Sequence, residues 1–291
     1  MRTTIGVLAL AVASATAQSA DPSLDVVITR VGQYVTGYGD KASLLVCTET
    51  YDQRFRPSVL GQPPARRLVS EFALVKTPGN QAWAGYRDVL DVDGKSVSDH
   101  PNRLEALFRS DAPDTALARR IADESARYNI GAITRNFNVP TATLFFFLPS
   151  DLAGFTFARK GEEDVDGTRV WRVDFKETAR PTMIRTREGR DVPSHGTFWV
   201  IPEDGVVVRT HLVANGFMDA SSTAEIDVRY TYDKRLEMWL PSVMAERYAG
   251  AIRRPSASGG TSIAVPSTAT TGLATYTDFK RFQTSATIRI K

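Results

Sequence analysis

Residues 195–213 read HGTFWVIPEDGVVVRTHLV, and residues 224–248 read AEIDVRYTYDKRLEMWLPSVMAERY. In the second stretch Ile226, Val228, Tyr230 and Tyr232 alternate with Glu225, Asp227, Arg229, Thr231 and Asp233. A period of two puts the first set on one face of a sheet and the charged set on the other. Pro202-Glu203-Asp204-Gly205 and Asp233-Lys234 interrupt the pattern and read as hairpin turns, Asp-Gly being a strong turn signal. The stretch is an antiparallel meander with one wet and one apolar face. What covers the apolar face decides how the fold is used.

Toward the N-terminus, Arg169 to Lys176 is a strand with Trp171, Val173 and Phe175 on one face. It follows the turn Asp164-Val165-Asp166-Gly167, whose residues recur at Asp91-Val92-Asp93-Gly94. A DxDG string can open a calcium loop, which needs glutamate at its twelfth position. The twelfth residues are Asn102 and Phe175, so both strings are turns. Leu44 to Tyr51, Arg66 to Lys76 and Trp83 to Val92 read as earlier strands, and Phe155 to Phe157 as a later one. Arg54 to Pro64 reads as a loop. Asp21-Pro22-Ser23 opens a helix with Leu24, Val27, Ile28, Val31, Tyr34 and Val35 on one side. Gly37, Gly39 and Asp40 are expected to end it. Its apolar stripe requires a sheet to lie on.

The period changes between the two turns. Asp99 and Pro101 start a helix with Leu104, Leu107 and Phe108 on one face, and a second runs from about Asp114 to Tyr128. This helical insertion separates early strands from late ones. The fold class is α+β: a curved antiparallel sheet with helices on its concave side. Glu177 to Ser194 and the Ser/Thr/Gly/Pro-rich 250–272 read as long excursions, the latter flexible. Ser285 to Lys291 reads as a closing strand. No linker divides the late strands, so residues 18–291 form a single domain.

The first residues, MRTTIGVLALAVASATAQSA, have Arg2, an apolar core from Ile5 to Ala13, and a small-x-small site at Ala15-Thr16-Ala17. That is a signal peptide, residues 1–17, and the core is too short to span a bilayer permanently. The mature chain, about 270 residues, is expected in the periplasm or secreted, without a transmembrane segment. No Cys follows the core, so a lipid-modified N-terminus is not expected. The single cysteine, Cys47, cannot form an internal disulfide and reads as a small core residue. The composition, 42% hydrophobic and 24% charged, is ordinary globular material. The net charge of +3 comes from scattered arginines without a basic block, which argues against nucleic acid.

Nucleophile elbows, HExxH, CxxC, Walker and GxGxxG motifs are absent from the sequence. His100, His195 and His211 lack an Asp, Glu or Cys cluster at ligand spacing, so no metal and no cofactor is expected. Glu49 and Glu71 could face a cavity, but nothing pairs them for acid–base work. The chain reads as a non-enzyme. Leu144, Phe145, Phe146, Phe147 and Leu148 are its most hydrophobic point after the leader. They fill a core, or they act as a lid over an apolar cavity lined by Trp171, Phe175, Trp199, Tyr230 and Tyr232. Arg180, Arg185, Arg187 and Arg190 lie in one loop, which is solvated or docks an acidic head group or partner.

An exported chain with a first helix at Leu24 to Tyr34, lid helices at Leu104 to Tyr128 and a late sheet at Gly196 to Tyr248 resembles the lipoprotein-localisation carriers of the bacterial periplasm. Their relatives include lipid-binding and sensor domains of the same half-barrel fold. RRLVSEF and DESARYNIGAITR are similar to a group of exported bacterial proteins, which adds no activity. This sequence is longer than the carriers, chiefly at 177–194 and 250–272. The resemblance implies a concave face, roofed by helices, that accepts an acyl chain of a lipid or other amphiphile. The alternative is a module that engages another envelope protein through sheet edge and loops, or an enzyme with an unrecognised site.

Overall fold

Ser23 caps the first helix: the Val26 N–H donates to its hydroxyl at 3.4 Å, at the start of α1 (Leu24–Ala42). The computed structural model describes residues 21–43, 45–56, 65–76, 83–97, 123, 126–130, 138–186, 188–217, 221–254 and 263–281. The leader, most of the helical insertion at 99–128 and the closing strand at 285–291 lie outside them.

α1 runs past Gly37 and Gly39, which corrects its expected end. Val27, Val31, Val35, Tyr38 and Ala42 are all buried, so the stripe continues at helical spacing to the last residue. Gly39 serves a contact there: a Cβ would stand 2.6 Å from the Trp83 ring. Packing along the whole stripe outweighs the roughly 1 kcal/mol cost of a mid-helix glycine.

The strands are β1 (Leu45–Arg56), β2 (Ala65–Lys76), β3 (Trp83–Val92), β4 (Lys95–Ser96), β5 (Phe155–Val165), β6 (Thr168–Glu177), β7 (Ser194–Ile201), β8 (Val206–Asn215), β9 (Thr223–Asp233), β10 (Met238–Arg254) and β11 (Ile263–Arg281). They form one sheet in the order β4-β3-β2-β1-β11-β10-β9-β8-β7-β6-β5. Every pairing is antiparallel, and the sheet stays open, with β4 and β5 at its edges. Both DxDG strings are tight turns with positive φ at Asp93, Gly94, Asp166 and Gly167. Edge strand β5 is blunted by a bulge between Arg159 and Gly161 and by a run of charged side chains.

This order explains the roof. Strands that are neighbours in sequence are neighbours in the sheet except β4 and β5. β1 pairs with β11, and the chain between β4 and β5 must travel from one edge to the other. Ten strand spacings of about 4.8 Å separate those edges. The insertion and the Leu144–Leu148 run are therefore parts of one crossover. Within it Ala142–Phe147 forms a 3-10 helix. α1 and this segment share one buried cluster with Phe72, Phe175, Phe198, Leu212, Ile226, Met244 and Ala274, drawn from β2 through β11. The sheet is thus a half-barrel curved around α1 and the Ala142–Phe147 segment, as the sequence implied.

The excursion expected at 250–272 needs correction. β10 continues to Arg254, and β11 starts at Ile263 and pairs with it back to Arg254. Only 255–262 separates them, outside the described residues. Thr-rich sequence suits a strand when a ladder lies on each side, and β11 has β1 and β10. β1 likewise extends to Arg56, and β5 spans Phe155–Val165 rather than three residues.

Candidate functional site

The concave face has two halves of different chemistry. Over β5 to β8 it is aromatic. Phe147 is fully buried, with its ring 4.5 Å from Phe198 and 5.4 Å from Phe175. Phe146 stacks on Phe155 at 5.4 Å, and Phe157 borders Phe147 and Phe198 at 6.2 Å. These are the offset and edge-on distances that aromatic pairs favour. Leu144, Leu148, Trp171 and Tyr230 are buried in the same cluster. Phe145 is half-buried against Trp83, with ring centroids 4.5 Å apart.

Two expected lining residues do not join them. Trp199 follows Phe198 in β7, so strand alternation sends it to the opposite face. There its Nε1–H donates to Glu163 at 2.9 Å, and Arg209 stacks over the ring at 4.4 Å. Both faces of β7 are covered at this level, so burial alone gave no sign of direction. Tyr232 keeps the period of Tyr230 but is 46% exposed and packs beside Trp239, because the strand runs beyond the roof.

Over β3, β2, β1, β11 and β10 a row of buried polar side chains is set among the apolar ones, and no motif in the sequence marked it. Glu49 is fully buried on β1, and Arg87 on β3 meets it with a two-pronged ion pair, Nε to Oε2 and Nη2 to Oε1, the latter at 2.7 Å. The expectation that nothing pairs Glu49 is corrected here. The pair connects strands that lie on either side of β2, which neither strand's sequence states alone. A signal was present: a charge interrupts the apolar face of each strand, Glu49 between Cys47 and Tyr51, Arg87 between Gly85 and Val89. Glu71 lies on the other face, 41% exposed, 3.7 Å from Lys280.

Rings enclose the pair. The Arg87 guanidinium lies 5.4 Å from the Tyr51 ring centre and 5.8 Å from that of Phe72. Burial works against its charge, but Glu49's field and hydrogen bonds outweigh that, and the Arg87 pKa rises. Burial, then Glu49's charge, push the Cys47 thiol far up, so Cys47 is the inert core residue expected. The polar row continues across the sheet. The Tyr51 hydroxyl donates to Glu246 Oε1, and the Tyr248 hydroxyl to Oε2 at 2.8 Å.

Donors on the sheet hold the crossover down. Arg87 Nη2 donates to the Asn138 carbonyl at 3.3 Å, Tyr230 to the Pro140 carbonyl at 2.7 Å, and Trp83 Nε1 to the Thr141 hydroxyl at 2.9 Å. Gln53 clasps the segment before it, donating to Tyr128 O at 3.4 Å and accepting from Ile130 N at 3.1 Å. The described part of the crossover is pinned to the sheet by side chains of β1, β3 and β9.

The arginine loop is built on two carboxylates. Glu177 accepts from Met183 N, Ser194 N and the Ser194 hydroxyl, and Asp191 accepts from Thr182 N at 2.8 Å. Arg180, Arg185 and Arg190 are exposed, with Arg180 3.5 Å from Asp191; Arg187 is outside the described residues. His211 sits 3.8 Å from Asp227 on the wet face. Among the described residues no group of three or more His, Cys, Asp or Glu is placed to hold a metal ion, and no helix is long and apolar enough to cross a membrane.

The sequence matches no family model, and no curated protein matches it. Solved structures do. A DUF1329 family protein from Desulfovibrio piger is 12% identical, with a TM-score of 0.37 over 90% of this chain and 94% of that one. A protein described as an outer membrane lipoprotein-sorting domain, from Vibrio parahaemolyticus, is 11% identical, with a TM-score of 0.39 over 88% of this chain and 94% of that one. A LolA superfamily protein from Nitrosomonas europaea is 11% identical, with a TM-score of 0.29 over 89% and 97%. With values this low, function has to be read from the residues themselves.

Proposed function

We propose that this chain is an exported, non-catalytic carrier or sensor that binds a lipid or similar amphiphile on the concave face of its half-barrel. The observation that carries this reading is the division of that face. One half is an aromatic bed around Phe147, Phe175 and Phe198, and the other sets a polar row of Arg87, Glu49 and Glu246 among apolar side chains. An amphiphile has the same division. Each methylene moved from water into the aromatic half contributes about 0.8 kcal/mol, so few polar contacts are needed for affinity. The part of the crossover from Asn138 to Leu148 packs on the concave face and is held to the sheet by single hydrogen bonds at Asn138, Pro140 and Thr141. Lifting it exposes the bed. The leader read at 1–17 supports export to the periplasm or beyond.

The test is native mass spectrometry of protein recovered from the envelope, together with titration of a fluorescent fatty-acid probe. A co-purified lipid, or saturable probe binding at one site, supports the reading. Lipid-free protein that leaves the probe unquenched at micromolar concentration overturns it.

A second reading rests on a different surface. Met183 is 41% exposed in the loop that also displays Arg180 and Arg185. An acidic partner protein of the envelope would find an apolar contact flanked by positive charge there. Crosslinking from position 183 in cells to one protein species supports this use, and a lipid-only crosslink removes it.

A further inference from the structure

The polar half of the concave face contains buried side-chain groups that make no hydrogen bond, Thr270 Oγ1 on β11 among them, and two of these lie beside the ion pair. Ser70 Oγ is fully buried, and Asn138, 3% exposed, has an unpartnered Nδ2. They flank the same ion pair. Ser70 is the register partner of Glu49 on the neighbouring strand, and Asn138 stands over Arg87, whose Nη2 donates to its carbonyl. A buried hydroxyl or amide without a partner costs free energy, so both groups are open to a bond from a bound molecule.

The charges around them decide what kind of molecule fits. Both carboxylate oxygens of Glu49 are taken by Arg87, and those of Glu246 each accept from a tyrosine hydroxyl. Arg87 spends its charge on Glu49. A carboxylate or phosphate brought here would meet two buried carboxylates and a cation already paired, and an ammonium group would find the carboxylate oxygens already bonded, to Arg87 and to the two tyrosine hydroxyls. The two unpartnered groups beside the pair are neutral, an amide N–H and a hydroxyl.

We infer that the amphiphile's head group is uncharged and carries both a carbonyl or ether acceptor and a hydroxyl, as in an acyl glycerol, and that Asn138 and Ser70 read it. The Asn138 amide donates to the acceptor, and the Ser70 hydroxyl exchanges a hydrogen bond with the head-group hydroxyl. This inference rests on the amphiphile reading, and names its head-group class.

The experiment uses the full mature chain and probes with one twelve-carbon chain and different heads: monolaurin, laurate and dodecylamine. Each displaces a fluorescent acyl probe at neutral pH. Monolaurin is expected to displace it at about tenfold lower concentration than either charged probe. Asn138→Ala and Ser70→Ala should each weaken monolaurin about fivefold to tenfold, the scale of one neutral hydrogen bond, and leave the charged probes unchanged. Asn138→Ala keeps the backbone carbonyl that Arg87 uses, and thermal melting of both variants checks that they fold. Preference for laurate or dodecylamine, or equal losses for all three probes, overturns the head-group assignment and keeps the amphiphile reading. Absence of binding by every probe overturns both.

Discussion

The Tyr51 hydroxyl reaches Glu246 across the middle strand of three, because residue 272 beneath them is glycine. A Cβ at Gly272 would stand 2.6 Å from Glu246 Oε1 and 2.6 Å from Tyr51 Cε2. Gly272→Ala should therefore destabilise the chain by about 1–3 kcal/mol, as overpacking of a buried site does. Tyr51→Phe should cost less, because Tyr248 continues to donate to the carboxylate. Urea unfolding of the two variants measures both. Equal stability of Gly272→Ala and wild type would show that the strand backbone yields freely there.

The Arg87–Glu49 pair is predicted to behave as a buried unit. Arg87→Met leaves the Glu49 carboxylate buried without its cation and should cost about 3–5 kcal/mol. Adding Glu49→Leu to that variant should recover much of the loss, because the uncompensated charge leaves with it. Chemical denaturation of the single and double variants gives the coupling. Additive losses would mean that the two side chains do not depend on each other.

How much of this could be read beforehand differs by element. Ile226 to Tyr230 and the two DxDG turns were legible because strand period and turn chemistry are local. The β1–β11 ladder was not, because it joins Leu45 to Arg281 and depends on the whole sheet. The reading of 250–272 as excursion failed for the same reason: composition cannot show that ladders lie on both sides. The aromatic half of the site was legible as apolar residues at Leu144 to Leu148, Trp171 and Phe175. Its polar half was hidden, since Glu49 and Arg87 make sense only once β2 stands between their strands.

Acid should loosen the start of α1. Asp21 and Glu162 both have lowered pKa values, each chiefly through a hydrogen bond from Arg169, with Arg159 adding its charge. A folded-state pKa below the unfolded one gives stability that is full above the unfolded value. It is lost as pH falls through the folded value, here on the acid side of about pH 4. Asp21→Asn and Glu162→Gln should lower the melting temperature slightly at pH 7 in low salt. The difference should shrink as pH falls below about 4, and also in molar salt, since these groups are exposed. A difference that is unchanged by both acid and salt would assign the effect to packing instead of charge.

The pairing of β1 with β11 also predicts one cooperative unit. The ladder ties the N-terminal group of strands to the C-terminal group through the longest shared register in the first strand. Calorimetry should show one transition with matching calorimetric and van't Hoff enthalpies. Two transitions, or two stable fragments after limited proteolysis, would divide the chain into separate domains.

The final prediction separates filling from binding within the aromatic half. Phe147 is fully buried among Phe175, Phe198 and Phe157, so its ring is core. Phe147→Ala should cost about 3–5 kcal/mol. Phe145 is half-buried against Trp83, at the end of the bed nearest the polar row, so removing its ring opens less space. Phe145→Ala should cost less than Phe147→Ala and should change the affinity for an acyl probe, since the crossover at this point has to lift for a chain to enter. The comparison needs both numbers for both variants, stability from urea unfolding and affinity from probe titration. Losses of stability that match in size, with probe affinity unchanged in Phe145→Ala, would make the whole 144–148 run a core plug and move the binding site away from the crossover.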